Sequence, residues 1–224
     1  MSSALACDDN IDDSPGNEDR MHEQQNWTRW AVDLPTQADY ARDASGRGPF
    51  AYCTANALLL GQILQRAART PVDQYIERAI LSPLGISEWE WPRSPIGEVM
   101  TGGGLRLRSR DIAKLAWMMA SGGNWQGRNI VPSGWVTATL TPHRVASADQ
   151  SYGYLSYQRR YKTKCGASQA GLMAGNGGSV ALVLRNEQAA IVITRQNYNV
   201  RGTAQRTTDL IENYVLPAIA CKSP

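Results

Sequence analysis

Two-thirds of the way along this chain the spacing of its apolar residues changes, and that change restricts the fold more than any single motif. Before it, apolar residues recur three and four apart, the period of a helix. After it come short β-rich runs. Residues 152–157 read as strand, and residues 179–184 and 189–194 as two strands joined by Arg185-Asn186-Glu187-Gln188, a hairpin signal. Residues 203–220 return to helical spacing, with Leu210, Ile211, Tyr214 and Val215 on one face and Pro217 as a kink point. Helices first, then antiparallel strands and a covering helix, make an α+β protein. At 224 residues it reads as one domain, mainly helical over 1–145, with the sheet and terminal helix over 146–224.

Within the helical part, Gly46-Arg47-Gly48-Pro49 turns the chain into Phe50-Ala51-Tyr52-Cys53-Thr54. A helix then leaves over residues 55–68, with Leu59, Leu60, Ile63, Leu64 and Ala67 as its apolar stripe. Tyr52 thus stands just before a helix N-terminus, where unpaired amides and the macrodipole favour negative charge. There it reads either as an aromatic staple or as a phenol helped toward phenolate. Residues 72–81 predict a second helix, with Pro71 at its start and Pro83-Leu84-Gly85-Ile86 at its end. Ser109 begins a helix over 109–120, with Asp111 in its first turn, and residues 132–140 give another, with Trp135 and Val136 inward. Trp27, Trp30, Ala31 and Leu34 form a short amphipathic helix stopped by Pro35. Gly102-Gly103-Gly104 lacks the Lys-Ser/Thr of a phosphate loop, which leaves close backbone approach to a ligand or to another element.

Charge and cysteine content exclude several classes. A net charge of +3, from 23 basic and 20 acidic residues, comes without the clustered basic face of a nucleic-acid binder. The longest strictly apolar run, Leu115 to Ala120, is far short of a membrane span. Met1-Ser2-Ser3-Ala4 leads straight into acid, so no secretory leader is read here. Residues 8–20 form an acidic, turn-rich stretch. Asp8, Asn10, Asp12 and Asp19 resemble a calcium loop, but Asp13 holds the glycine's place, and a solvated loop is the better reading. The four cysteines contain no CxxC and lie apart from His22 and His143, so neither zinc nor another cofactor is expected. Their even number fits disulfides or buried thiols equally.

Five segments in order carry a resemblance: Tyr52-Cys53-Thr54 before Leu59-Leu60-Gly61; Leu81-Ser82-Pro83-Leu84-Gly85-Ile86; Gly102-Gly103-Gly104-Leu105 before Ser109-Arg110-Asp111; Trp125-Gln126-Gly127-Arg128; and Gly175-Asn176-Gly177-Gly178. The chain resembles the serine β-lactamase and penicillin-binding-protein superfamily, in its class C and esterase-like branch. That family uses a Ser-x-x-Lys nucleophile, a Tyr-x-Asn element and a Lys/His-Thr-Gly strand motif. The resemblance makes Tyr52 the proton-transfer residue, puts Thr54 in the place of the family's Asn, and makes Asn176, Gly177 and Gly178 the strand motif with a neutral residue for the cation. It implies a small ester, amide or β-lactam-like substrate and a periplasmic or secreted location. It also brings the segments around Cys7 and Cys53 together beside the active site, so a Cys7–Cys53 disulfide is expected.

One part of the pattern is absent. The residues three before Lys114, Lys162, Lys164 and Lys222 are Asp111, Arg159, Tyr161 and Ile219, so no Ser-x-x-Lys occurs. The expectation is the C-terminal part of a serine hydrolase, without its first strands and nucleophile helix. The alternatives are a hydrolase with a relocated serine (Ser109 or Ser179) and a non-catalytic binding module. In the family the strand matching residues 189–194 pairs on its far side with a strand these residues do not contain. An open edge there, and self-association through it, are therefore expected.

Overall fold

The computed structural model describes residues 1–221. The chain divides into two compact units, Met1–Leu107 and a second that begins at Arg108.

The first unit holds α1 (Glu18–His22), α2 (Trp27–Val32), α3 (Thr54–Ala68) and α4 (Val72–Ile76). α4 runs on through a π-helical turn, Glu77–Leu81, and a 3-10 turn, Ser82–Leu84, before Gly85 stops it in the left-handed conformation at φ 65°. The helix predicted over 72–81 is therefore present but changes its winding. Elsewhere the backbone is largely irregular, and its β pairing consists of isolated bridges such as Leu5 with Thr36 and Glu90 with Arg106. The core gathers Cys7, Met21, Trp27, Ala31, Cys53, Ala55, Leu58 and Met100.

α3 turns a different face inward from the one its large apolar residues suggest. Ala55, Ala57, Leu58 and Gly61 are buried, whereas Leu60 and Ile63 are 51% and 62% exposed. Close approach is the cause. A Cβ on Gly61 would lie 2.1 Å from Thr101 Oγ1, and one on Gly102 would lie 2.4 Å from Thr54 Cγ2. Thr101 Oγ1 donates to the Ala57 carbonyl at 3.0 Å. The triple-glycine segment lies directly against α3, which can meet it only with its narrow side. Of the two readings open for these glycines, contact with another element is the one realised.

In the second unit, α5 (Ser109–Ala120), the short pair β1 (Asn124–Trp125) and β2 (Arg128–Asn129), and α6 (Ser133–Leu140) precede a sheet. Its strands are β3 (Arg144–Val145), β4 (Gln150–Tyr152), β5 (Tyr157–Thr163), β6 (Gly166–Ala174), β7 (Val180–Leu184) and β8 (Ala189–Ile193). They pair antiparallel in sequence order, a meander with β8 at one edge. Residues 152–157, expected as one strand, instead end β4 and begin β5 around a turn in which Gly153 N–H bonds the Ser156 carbonyl at 2.8 Å. α7 (Thr203–Leu210), a π-helical turn Ile211–Val215 and α8 (Leu216–Ala220) close the chain.

Helices cover both faces of the sheet. α5 sets Ala116 and Ala120 against Ala181 and Val183 on one face. On the other, Ile211 and Leu216 join Tyr161, Leu172, Leu182 and Leu184. Alternation along β7 divides its side chains between the two cores. The terminal helix departs from the expected stripe: Tyr214 is 71% exposed, and Thr203, Thr207 and Thr208 are buried with Ile211. On α6, Val136 is buried while Trp135 is 57% exposed, stacked on Tyr154, which stacks in turn on His143.

Candidate active site

Tyr52 is half-buried at the entrance to α3, and each of the three residues 52–54 is fastened to the segment around Asp9. Asp9 N–H donates to the Tyr52 carbonyl at 2.8 Å. Cys53 is bonded through its sulfur to Cys7. Thr54 N–H donates to Asp9 Oδ2 at 2.6 Å, and the Thr54 hydroxyl donates to Glu18 Oε2 at 2.8 Å. The other Asp9 oxygen, Oδ1, accepts from Glu18 N–H at 2.9 Å. One carboxylate thus caps the first residues of both α1 and α3. Cys53, the residue before α3, makes no side-chain cap of its own, and Asp9 supplies that acceptor from 45 positions away.

This changes the electrostatics expected for Tyr52. The positive end of α3 already faces the Asp9 carboxylate, with Glu18 beside it. Burial first, then Glu18 and then Asp9 push the Tyr52 phenol above its ordinary value of 10.0. The site favours the neutral phenol, a proton donor, over phenolate. Asp9 is itself raised: burial outweighs the hydrogen bonds from Thr54, and Glu18 adds to the rise. Thr54 is buried at 3% exposure, with its hydroxyl proton directed at Glu18. Asp9 and Glu18 do not stand out in the sequence, because they lie within an acidic stretch that looks solvated. The stretch is in fact folded: Ser14 Oγ accepts from Asp8 N–H at 2.8 Å, and buried Asn17 donates to the Ile11 carbonyl at 3.2 Å.

Asn176, Gly177 and Gly178 lie in the second unit and form a 3-10 turn before β7, not part of the strand. Asn176 exchanges hydrogen bonds with Asn199, donating to its Oδ1 at 2.8 Å and accepting from its N–H at 3.2 Å. Gly178 has φ 85°, and its carbonyl accepts from Thr207 Oγ1 at 2.9 Å. A Cβ there would lie 2.4 Å from Thr203 Cγ2, so α7 and this turn meet closely. Ser179 Oγ donates to the Arg195 carbonyl and accepts from its N–H, while Ser109 Oγ lies 3.3 Å from Thr194 Oγ1. Lys114 pairs with Asp111 on α5 at 2.7 Å. A second disulfide joins Cys165 to Cys221. Among the described residues no group of three or more His, Cys, Asp or Glu side chains could hold a metal ion, and no helix is long and apolar enough to cross a membrane.

Helices together with an antiparallel meander make an α+β fold of the β-lactamase and transpeptidase type, as the solved structures that superpose on the chain show. The chain belongs to the Beta-lactamase family, whose sequence model matches residues 21–213. It is 27% identical over 152 residues to a 6-aminohexanoate-dimer hydrolase of Paenarthrobacter ureafaciens, covering 61% of this chain and 36% of that one. Among solved structures, a Bacillus anthracis protein titled as a 6-aminohexanoate-dimer hydrolase superposes with a TM-score of 0.67 at 16% identity, over 88% of this chain and 48% of that one. A penicillin-binding protein of Bacillus halodurans superposes with a TM-score of 0.65 at 14% identity, over 94% and 70%. The chain thus spans about a third to a half of the length of the two hydrolases.

Proposed function

We propose that this chain carries the tyrosine-bearing part of a β-lactamase-family serine hydrolase, and that Tyr52 gives a proton to the leaving group when an acyl bond is cleaved. The observation that carries this reading is the placement of Tyr52, half-buried at the entrance to α3 with residues 52–54 fastened to Asp9, Cys7 and Glu18. The nucleophilic serine, absent here as a Ser-x-x-Lys pattern, belongs to sequence beyond these residues, in keeping with the greater length of the hydrolase relatives. In the first half-reaction the serine gives its proton to a base outside these residues, its oxygen bonds the acyl carbon, the bond to the leaving nitrogen or oxygen breaks, and Tyr52 protonates that atom. Water then attacks the acyl carbon and gives its proton back to Tyr52, while the base returns the first proton to the departing serine oxygen. Two relatives named for 6-aminohexanoate dimers point to a linear amide as substrate. The neutral, Asn199-bound Asn176 offers no cation to a β-lactam carboxylate. Both disulfides suit a periplasmic or secreted protein.

The test joins this chain to the Ser-x-x-Lys segment of a complete relative and assays a 6-aminohexanoate linear dimer, p-nitrophenyl acetate and nitrocefin. Tyr52→Phe is expected to lower turnover by roughly 10²- to 10⁴-fold while the protein folds normally. Wild-type rates in that variant would end the reading. The unjoined chain is expected to turn over none of the three and to take no fluorophosphonate label.

Self-association belongs to the same proposal. β8 pairs with β7 and, among the described residues, has no strand on its other side. Ala189-Ala190-Ile191-Val192-Ile193 is uncharged and free of proline, a template for another strand. Light scattering after size exclusion is expected to find dimers or larger species. A stable monomer whose Ile191–Ile193 amides resist exchange would mean that the edge is already covered.

A further inference from the structure

The links around Tyr52 carry a second consequence, which rests on the proton-donor reading above. Three consecutive residues are each held by a different bond: the Tyr52 carbonyl by Asp9 N–H, Cys53 by Cys7, and Thr54 by both Asp9 and Glu18. Only the disulfide among these is uncharged and covalent. The Tyr52 link is a main-chain bond, the two at Thr54 end on the Asp9 and Glu18 carboxylates, and Glu18 N–H ties those two residues to each other through Asp9 Oδ1.

We propose that Asp9 and Glu18 are the positioning residues of Tyr52, gripping the main chain on its C-terminal side and closing the start of α3 to a further negative charge. A helix N-terminus normally welcomes an anion. Here the amide of its first residue is already taken by Asp9, so a phenolate at Tyr52 would be a third negative charge in a half-buried cluster. The charges acting on the phenol are Glu18 from α1 and Asp9 from the preceding segment, and α3 has no acidic residue in its first turn. The pair therefore adds to burial in favouring the protonated phenol. Tyr52 keeps its proton at neutral pH and gives it up only when a leaving group with developing charge asks for it. The same arrangement moves the alkaline limit of activity upward and makes Tyr52 a poor base toward a resting serine, which must be deprotonated by another group.

The phenol can be titrated in the chain as it stands, without turnover. Tyrosine labelled with ¹³C at Cζ reports each ionisation, and Tyr52→Phe identifies the resonance. In the wild type Tyr52 is expected to titrate above 10.0. Glu18→Gln, which keeps an acceptor for the Thr54 hydroxyl and removes only charge, should lower that value, and Asp9→Asn by less. Asp9→Asn should also speed amide exchange at Thr54, because its NH₂ cannot accept from both helix starts. An unchanged Tyr52 titration in Glu18→Gln overturns the proposal, and this variant decides it even if Asp9→Asn does not fold. A drop of equal size in Cys7→Ala/Cys53→Ala overturns it as well, since packing and not charge would then set the phenol. Failure of the function reading looks different: Tyr52→Phe would keep its turnover in the joined hydrolase, with the titration shifts intact.

Discussion

In Met1–Leu107, carboxylates from other segments reach three helix starts, Asp9 at α1 and α3 and Glu98 at Trp27 and Thr28 N–H of α2 at 2.6 and 3.1 Å, beside the local caps Asn17 and Asn26 of α1 and α2. From Arg108 onward the helices have no side-chain caps, and a six-stranded ladder holds the chain, with helices laid on its two faces. A ladder repeats one bond many times and tolerates the loss of any one. Caps reaching in from other segments are few, and one of them, Asp9, holds two helix starts at once. The tyrosine sits in the unit with those caps, where an acidic side chain can both hold the backbone and set the electrostatics.

Removing the Cys7–Cys53 link should test that contrast most severely. For residues 46 apart, the chain-entropy model gives a loss of about 4 kcal/mol in Cys7→Ser/Cys53→Ser. Hydrogen exchange should rise around α1 and the start of α3 while β5–β7 amides stay protected. An equal loss of protection in the sheet would mean that the two units do not respond separately. Next in size is an alkaline effect that Tyr161 brings to the sheet unit. Burial, first among its causes, raises Tyr161 to about 12. The folded state therefore binds a proton that the unfolded state has released: stability is full below pH 10 and falls as pH rises toward about 12. That shift corresponds to about 2–3 kcal/mol, and Tyr161→Phe should flatten this part of a stability–pH curve.

Smaller effects sharpen the comparison. Glu98→Ala leaves two amides of α2 without their acceptor and should cost about 1–2 kcal/mol in urea denaturation. Thr207→Ala, in the sheet unit, should cost less, near 1 kcal/mol. Similar losses at both positions would weaken the distinction between remote caps and distributed packing. Smallest is Trp135→Ala, which removes an exposed ring stacked on Tyr154 at 5.5 Å and should cost about 0.5–1 kcal/mol by thermal melting.

The elements that follow from local pattern were legible in advance: the helices near 55–68, 109–120 and 132–140, and the 185–188 hairpin. Facing was less so. Leu60 and Ile63 of α3 point outward because Gly61 lets Thr101 come against its backbone, and a hydrophobic stripe carries no record of a neighbour 40 residues away. The threonine face of α7 was hidden for a related reason: Thr207 gains its burial from the Gly178 carbonyl. At the site, Tyr52 announced itself by its place before a helix. Asp9 and Glu18 did not, because their importance comes from tertiary hydrogen bonds and their composition reads as solvated acid. The glycines of residues 176–178 pointed to a special backbone, but the lock between Asn176 and Asn199 spans 23 residues and no short motif encodes it.

The second disulfide changes how this protein would respond to cutting. Cys165 stands in the turn between β5 and β6, and Cys221 follows α8, so the bond closes a covalent ring around β6, β7, β8, α7 and α8. Residues 196–202, between β8 and α7, are exposed and are the natural entry for a protease within that ring. A single cut there opens the ring but frees no fragment, because both new ends remain attached through sulfur. Nicked and intact molecules would migrate as one species until a thiol is added, and only then would the terminal helices separate from the sheet they cover.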